Sequence, residues 1–226
     1  MKDGIRLYIN LTNYCNLNCP FCCMYSNSFK KSFISFSSFK KIIDETKDKF
    51  ELQLEGGEPL FHEEIFLFIE YAMTTKHCTK VIILTNGTLI QDGCLNRFIS
   101  IANWYKTLFE FKVSINSYIM KLYPSHLALC SNLHFATKYM PYVNFIFNVR
   151  LTKNESKEKA LKLLKKYDIA DVSNIYYLQS YGRLTNDTDY EKPVIVQNIA
   201  DWKLYASDGT CFDQDLIARS EYEGKL

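Results

Sequence analysis

The stretch Cys15-Asn-Leu-Asn-Cys19-Pro-Phe-Cys22 places three cysteines within eight residues, directly after a strand-like apolar run at residues 5–12. Three thiolates at this C-x3-C-x2-C spacing can bind one face of a metal cluster. Four would close a structural zinc site or fill every iron of a [4Fe–4S] cube. Three leave one iron without a protein ligand, and a metal with an open position can bind a substrate or cofactor. The stretch therefore predicts a reactive metal site on the loop after the first strand.

A second motif, Gly56-Gly57-Glu58-Pro59, follows the strand-like run at residues 51–55. Both glycines lack side chains, so their backbone can approach a ligand closely. Glu58 could accept hydrogen bonds from a ligand. A single glycine pair is ordinary turn chemistry, but here it stands after a strand and downstream of the cysteine motif.

Together the two motifs resemble the radical S-adenosylmethionine (radical SAM) superfamily, in which the cysteine spacing is the cluster motif. In that family a GGE segment at the end of the second strand binds the amino group of SAM. The wording of the cysteine loop, TNYCNLNCPFC, is similar to the branch with peptide-modifying and molybdopterin-type members. The resemblance spans at least residues 5–184.

The resemblance implies a [4Fe–4S] cluster on Cys15, Cys19 and Cys22, and SAM beside it. Reduced cluster would inject one electron into SAM, and the resulting 5′-deoxyadenosyl radical would abstract hydrogen from a substrate. Residues near the carboxyl ends of the predicted strands are the candidates for binding SAM, as ligands gather there in parallel α/β folds. They are Phe21, Gly56, Gly57, Glu58, Asn86, Ser114, Asn116 and Arg150.

Four of these candidates have specific expected roles. Phe21 matches the family's apolar position near the adenine, and Ser114 matches the serine that meets the ribose or carboxylate of SAM, with Asn116 assisting. Arg150 could pair with the SAM carboxylate, or form a structural ion pair. Asn86 stands in an Asn-Gly turn after the third predicted strand, where turn chemistry alone is the competing interpretation.

Alternating strand and helix patterns support an α/β fold with a parallel sheet and right-handed crossovers. The pattern contains six β-α units, which are fewer than the eight of a closed barrel. The resemblance implies a partial (β/α)6 radical SAM barrel. Predicted helices cover about 38–50, 62–77, 94–105, 126–139 and 155–167. Predicted strands cover 5–12, 51–55, 80–85, 108–115, 143–151 and 172–179.

We expect residues 1–184 to form the core barrel and residues 185–226 a short C-terminal extension. The extension is polar and turn-rich, with a short strand predicted near 202–206. Residues 202–211 resemble the start of the extension in SPASM-type members. Those extensions carry several cysteines for auxiliary clusters, whereas only Cys211 lies beyond Cys130 here. An auxiliary cluster is not expected, and Cys211 is a candidate radical-quenching thiol, lone ligand or plain turn residue.

Composition excludes several other classes of protein. The 226 residues are 47% hydrophobic with 16 Tyr and 16 Phe, which argues against disorder. A net charge of +2 without a basic face gives no support to nucleic-acid binding. No signal peptide and no apolar run of membrane-spanning length is visible, so we expect a cytoplasmic protein without membrane partners.

In a reducing compartment, clustered cysteines point to metal ligands rather than disulfides. Cys23 adjoins the motif but lies outside its spacing, and the other cysteines are interpreted as small apolar residues. They are Cys78, Cys94 and Cys130.

The predicted function is a radical SAM oxidoreductase acting on a ribosomally made peptide, reduced by a flavodoxin- or ferredoxin-type electron donor. The first alternative is a small-molecule enzyme similar to 7-carboxy-7-deazaguanine synthase, or an activating enzyme of the glycyl-radical type. The second alternative, from another class, is a non-catalytic protein that holds a metal structurally.

Overall fold

A computed structural model describes residues 4–193 and 202–226 of the chain. Its strands form one parallel sheet. They are β1 (Ile5–Thr12), β2 (Phe50–Gly56), β3 (Cys78–Thr85), β4 (Leu108–Ile115), β5 (Val143–Leu151), β6 (Ser173–Tyr177) and β7 (Trp202–Tyr205). The spatial order is β6-β5-β4-β3-β2-β1-β7. Because β6 and β7 are the two edges, the sheet does not close. This confirms the predicted parallel α/β fold with an open barrel.

The described helices are α1 (Phe36–Glu45), α2 (Ile65–Thr74), α3 (Asp92–Tyr105), α4 (Ser117–Leu122), α5 (His126–Thr137), α6 (Lys157–Lys166) and α7 (Leu216–Lys225). Helices α1 to α6 lie between successive strands, as parallel pairing requires, and α7 follows the last strand. None of the helices in the described part of the chain is long and apolar enough to cross a membrane.

Alternation along the strands separates two faces of the sheet. On β1, Leu7, Ile9 and Leu11 are fully buried in the core formed with the helices. The intervening Tyr8 lines a cavity on the opposite face, and that cavity also has lining residues from β2, β3, β4, β5 and β6. The sheet therefore wraps around this cavity, and we call its inner side the lumen.

The first helix differs from its prediction at both ends. Ser35, not Ser37 or Ser38, is the N-cap, and its hydroxyl accepts a hydrogen bond from the Ser38 amide at 3.1 Å. The helix ends at Glu45 because Phe50 belongs to β2, where it is in register with Ile5 of β1. The helical sequence pattern continues to residue 50, but pairing with β1 places Phe50 in a strand, so the helix is shorter than predicted.

The sequence patterns also missed two helices. Helix α4 is only six residues long, and it starts where the Asn116 side chain accepts a hydrogen bond from the Ile119 amide at 2.8 Å. Helix α7 lies in the tail that was expected to be turn-rich. Its buried face carries Arg219, Ser220 and Glu223, so it has no apolar stripe that a sequence pattern could reveal.

Polar contacts join α7 to the lumen side of the sheet. Arg219 Nη2 donates to Glu55 Oε1 at 2.7 Å, and both side chains are almost fully buried. Glu223 Oε1 accepts from Asn10 Nδ2 at 2.8 Å and from the Ser207 amide at 2.6 Å. Strand β7 is in parallel register with β1. The segment after residue 201 is thus joined to the first two strands, and the predicted boundary near residue 184 stays a prediction.

Removing the arginine of this buried pair is expected to be costly. Arg219→Met leaves the Glu55 carboxylate buried without its cation, which should lower the free energy of unfolding by about 3–5 kcal/mol. Urea unfolding followed by circular dichroism measures the change. Lys225→Met, at an exposed position of the same helix, is the matched control and should stay within about 0.5 kcal/mol of the parent. Equal midpoints for the two variants would contradict a stabilising role for the pair.

Candidate functional site

The three motif cysteines lie on the irregular loop after β1 and line one cavity of about 190 Å³. Cys15 is buried, and Cys19 and Cys22 are half-buried. All eight cysteines are free thiols. No three His, Cys, Asp or Glu side chains in residues 4–193 and 202–226 are grouped to hold a single metal ion.

The surroundings of Cys15 suit an iron–sulfur ligand. Its sulfur accepts a hydrogen bond from the Leu17 amide at 3.4 Å and from Asn86 Nδ2 at 3.8 Å. Amide donors to a ligand sulfur and an apolar wall are the protein's means of tuning such a cluster. Leu17 and Ile119 form that wall, with Cys15 in the same small apolar group. Burial raises the pKa of the free Cys15 thiol to about 12, so binding iron there displaces a proton.

Arg183, which follows β6, holds the cysteine loop in place. Its Nη1 donates to Asn18 Oδ1 and to the carbonyl of Cys19, both at 2.6 Å. Its Nη2 donates to the carbonyls of Tyr25 and Ser26 at 3.3 and 3.0 Å. One planar guanidinium thus satisfies four acceptors of a loop that has little secondary structure of its own.

Close backbone packing explains two glycines near the loop. A Cβ at Gly182, where φ is +63°, would collide with Cys23 Cα, and a Cβ at Gly57 would collide with the carbonyl of Tyr14. The amide of Gly57 also donates to the Thr12 carbonyl at 2.7 Å. Gly57 is therefore needed to seat the cysteine loop, in addition to any approach of a ligand.

Glu58 lies behind the cavity and is fully buried. Its carboxylate accepts from Thr85 Oγ1 at 2.8 Å and from the Asn86 and Leu60 amides at 2.7 and 3.2 Å. Burial raises the pKa of Glu58 to about 7, and the three donors oppose that shift. Glu58 is not among the lining residues of the cavity, whereas Gly56 and Gly57 are. In this structure Glu58 joins the loop after β2 to the loop after β3, and its predicted contact with SAM stays a prediction.

Asn86 links the end of β3 to the cysteine loop. Its Nδ2 donates to Asn16 Oδ1 at 2.9 Å, and Asn16 Nδ2 in turn donates to Thr88 Oγ1 at 2.8 Å. The side-chain oxygen of Asn86, Oδ1, accepts from the Thr88 amide and hydroxyl at 2.9 and 2.7 Å. The Asn-Gly turn therefore does more than reverse the chain, because it fixes the residue next to Cys15.

The remaining predicted residues reach the same cavity from other strand ends. Phe21, Ser114, Asn116 and Arg150 all line it. Phe21 packs edge-to-face on Tyr118 at 6.5 Å between ring centroids. The Asn116 oxygen is already used as the cap of α4.

Arg150 stacks on an aromatic ring instead of forming an ion pair among the described residues. Its guanidinium lies 4.7 Å from the centroid of the Tyr176 ring. The structural ion pair considered for Arg150 is therefore not among the contacts of the described chain, and the guanidinium remains available to an anionic ligand.

Cys211 is exposed and does not line the cavity. It forms an isolated bridge with Tyr205 at the end of β7, so the structure does not bring this candidate to the other site residues. Cys23 and Tyr181 also line the cavity, although neither was among the predicted site residues. Cys23 falls outside the motif spacing, and the only signal for Tyr181 is its position after the sixth strand.

A second cavity, of about 840 Å³, occupies the lumen beside the first. We call it the lumen cavity. Side chains of β1–β6 line it, including Tyr8, Gln53, Lys112, Asn148 and Asn174. Both cavities share several lining residues, so they adjoin each other. The shared residues are Leu84, Asn148, Arg150, Tyr177, Leu178 and Gln179.

Two curated relatives match a part of the chain. AlbA, the antilisterial bacteriocin subtilosin biosynthesis protein of Bacillus subtilis, is 36% identical over 87 residues, 38% of this chain and 19% of AlbA. GTP 3′,8-cyclase of Campylobacter jejuni is 31% identical over 93 residues, 38% of this chain and 28% of the cyclase. The chain thus spans less than a third of the length of either relative in these matches.

Among solved structures, native anSMEcpe with bound AdoMet superposes with a TM-score of 0.55 at 20% identity, covering 76% of this chain and 51% of that one. Streptococcus suis SuiB gives a TM-score of 0.56 at 17% identity, covering 84% of this chain and 42% of that one. At these identities the likeness shows the fold alone.

A family model described as the radical SAM superfamily matches residues 9–181. This range runs from the middle of β1 to the segment that follows β6. The match covers most of the chain, including the three clustered cysteines and the glycine pair that share a cavity. The chain therefore belongs to the radical SAM superfamily.

Proposed function

We propose that this protein is a radical SAM enzyme that modifies a peptide. The observation that carries the proposal is the convergence of Cys15, Cys19 and Cys22 with Gly56 and Gly57 on one cavity. The superfamily uses a [4Fe–4S] cluster and SAM. When bound, these groups would supply a 5′-deoxyadenosyl radical by one-electron reductive cleavage of the S–C5′ bond of SAM, with methionine as the other product.

We assign the cluster to the three motif cysteines and SAM to the rest of the cavity wall. The backbone at Gly56 and Gly57 is the candidate for the methionyl ammonium. Ser114 and Arg150 are the candidates for the carboxylate or ribose, because a serine hydroxyl and a guanidinium donate to anionic and hydroxyl oxygens. Phe21 is the candidate for the adenine, and Asn86 and Asn116 orient the neighbouring loop and helix.

The chain's own residues supply position and exclude water. Arg183 and the Asn16–Asn86 pair fix the loop that carries the cysteines. Leu17 and Ile119 are buried beside Cys15 and keep that wall apolar. A dry, rigid pocket protects a reactive radical from side reactions and holds the reacting groups in one geometry.

A peptide is the favoured substrate because of the open sheet and the relatives. An extended chain can approach the lumen cavity, since the described strands leave the sheet unclosed between β6 and β7. AlbA is named for bacteriocin biosynthesis, and one matching anSMEcpe structure holds a Cp18Cys peptide. The similarity to GTP 3′,8-cyclase favours a small-molecule substrate as the second candidate. A flavodoxin- or ferredoxin-type protein is the proposed electron donor.

The proposal predicts which cysteines hold iron. Anaerobically reconstituted protein should carry about four irons per chain, and Cys15→Ala, Cys19→Ala and Cys22→Ala should each lose most of them. With dithionite and SAM, the parent should form 5′-deoxyadenosine, and the three variants should form none above background. Iron analysis and mass spectrometry make the two measurements.

Cys211→Ala is the matched control because Cys211 lies outside the cavity, and it should keep both iron and SAM cleavage. A colourless protein that binds one zinc would instead support the non-catalytic metal-binding alternative. Full iron content in Cys19→Ala would refute the ligand assignment.

Arg183 is expected to matter for loading the cluster although it is no ligand. Arg183→Met removes four charge-assisted hydrogen bonds to the cysteine loop, and a hydrogen bond to a charged group contributes about 1.5–3 kcal/mol net. We expect reduced iron loading and at least about tenfold faster amide exchange in residues 15–27 of the protein without iron. Arg97→Met, which removes an exposed arginine, should leave both quantities unchanged, and the same behaviour in Arg183→Met would count against the clamp.

A further inference from the structure

The lumen cavity contains a cation that its own neighbours do not neutralise. Lys112 of β4 points into this cavity and does not line the cysteine cavity. Its ammonium lies 3.8 Å from Glu110 Oε1 and 3.4 Å from Gln53 Oε1. Glu110 already accepts a 2.8 Å ion pair from Lys80, so Lys112 shares an acid that has another partner.

The acids on the lumen-facing strands are also paired, whereas Glu223 of α7, buried against Asn10 of β1, has hydrogen-bond donors but no cation among the described residues and does not line the lumen cavity. Arg6 forms an ion pair with Glu51, and Arg219 forms one with Glu55. Three carboxylates on the lumen-facing strands therefore already have a cation each, and Lys112 is a further positive charge on these strands. Farther out, Arg150 stacks on Tyr176 without an acid.

At the outer end of the cavity, the charges are close to balance. Lys153 pairs with Asp189, and Lys157 lies 5.0 Å from the centroid of the Tyr177 ring. Glu191 also lines this end. The excess of positive charge therefore lies deep in the cavity, toward Lys112, and on Arg150 where the two cavities meet.

Lys112 is held in a partly dehydrated position. Its side chain is 20% exposed, and burial, with a smaller effect from the charge of Arg6, lowers its pKa. A desolvated ammonium with an incomplete set of acceptors gains most from an anionic ligand, because the attraction is stronger where water is excluded.

We propose that the lumen cavity binds a carboxylate of the substrate, an Asp or Glu side chain of a peptide, with Lys112 as the residue that recognises it. This inference rests on the proposed function and adds the chemical class of the substrate group. Gln53, which accepts from Lys112 at 3.4 Å, and Asn148 line the same cavity with amide groups. Because the cavity adjoins the cysteine cavity through Leu84, Asn148 and Arg150, the acidic residue would lie beside the place where the radical forms.

The test compares two peptides on the reconstituted, SAM-loaded protein under anaerobic conditions. Ac-Gly-Glu-Gly-NH2 and Ac-Gly-Gln-Gly-NH2 differ in one charge, and ligand-observed NMR titration gives both affinities. We expect the Glu peptide to bind on the order of tenfold more tightly, the scale of one charge-assisted hydrogen bond. Lys112→Met should abolish this preference, and Lys112→Arg should retain part of it.

Lys121→Met is the matched control, because Lys121 is an exposed lysine near the end of α4, and it should keep the full preference. In Lys112→Met, Glu110 still has Lys80, so the variant is expected to fold, and a thermal melt checks this. If it does not fold, the parent's preference and the Lys112→Arg titration decide the question.

Three outcomes would overturn the inference. Equal affinity of the two peptides for the parent excludes carboxylate recognition. An unchanged preference in folded Lys112→Met excludes Lys112. Inorganic phosphate that displaces the Glu peptide and binds more tightly than it does, dependent on Lys112, identifies a phosphate site instead. Failure of the proposed function is distinct from these outcomes, because the parent would then lack iron or fail to bind SAM before any peptide is added.

Discussion

The site depends on how an irregular loop is held against the ends of a parallel sheet. Residues 13–35 have little regular structure, so their backbone groups need partners from elsewhere. Arg183 binds four of their oxygens, and Asn86 binds Asn16. Since these donors follow β6 and β3, the cysteine positions are fixed only when the sheet is complete. The cluster ligands are local in sequence, but their geometry is a property of the whole barrel.

The GGEP motif illustrates how one segment serves both loop and cavity. The backbone of Gly57 and Glu58 donates to the carbonyls of Thr12 and Tyr14, directly before the first cysteine. The Glu58 side chain reaches the opposite way, to Thr85 and Asn86. Strand ends β1, β2 and β3 are therefore locked to one another by this motif. A ligand on the glycine face would find a surface whose shape is already determined, which reduces the ordering cost of binding.

Ion pairs between neighbouring side chains allow charged residues to line the lumen of the folded protein. Arg6, Lys80 and Arg219 each neutralise one carboxylate of the inner face. Buried pairs of this kind add little net stability, yet losing one partner is costly. These pairs neutralise the charged side chains of the cavity wall. Lys112 has no acid of its own, so an anionic ligand can pair with it. Helix α7 takes part in the same arrangement, because its Arg219 and Glu223 complete the partners of Glu55 and Asn10.

The sequence by itself determined the parallel α/β order, because apolar strand runs and helical spacing are local patterns. It also identified the cysteine triad and the glycine pair, since cluster chemistry requires those residue types at fixed spacing. Only the tertiary structure decided that Glu58 faces Thr85 and Asn86, that Arg183 clamps the loop, and that α7 enters the fold. In the sequence, the buried Arg219 of α7 cannot be distinguished from a surface arginine. Its role depends on a carboxylate more than a hundred residues away, and only folding brings the two together.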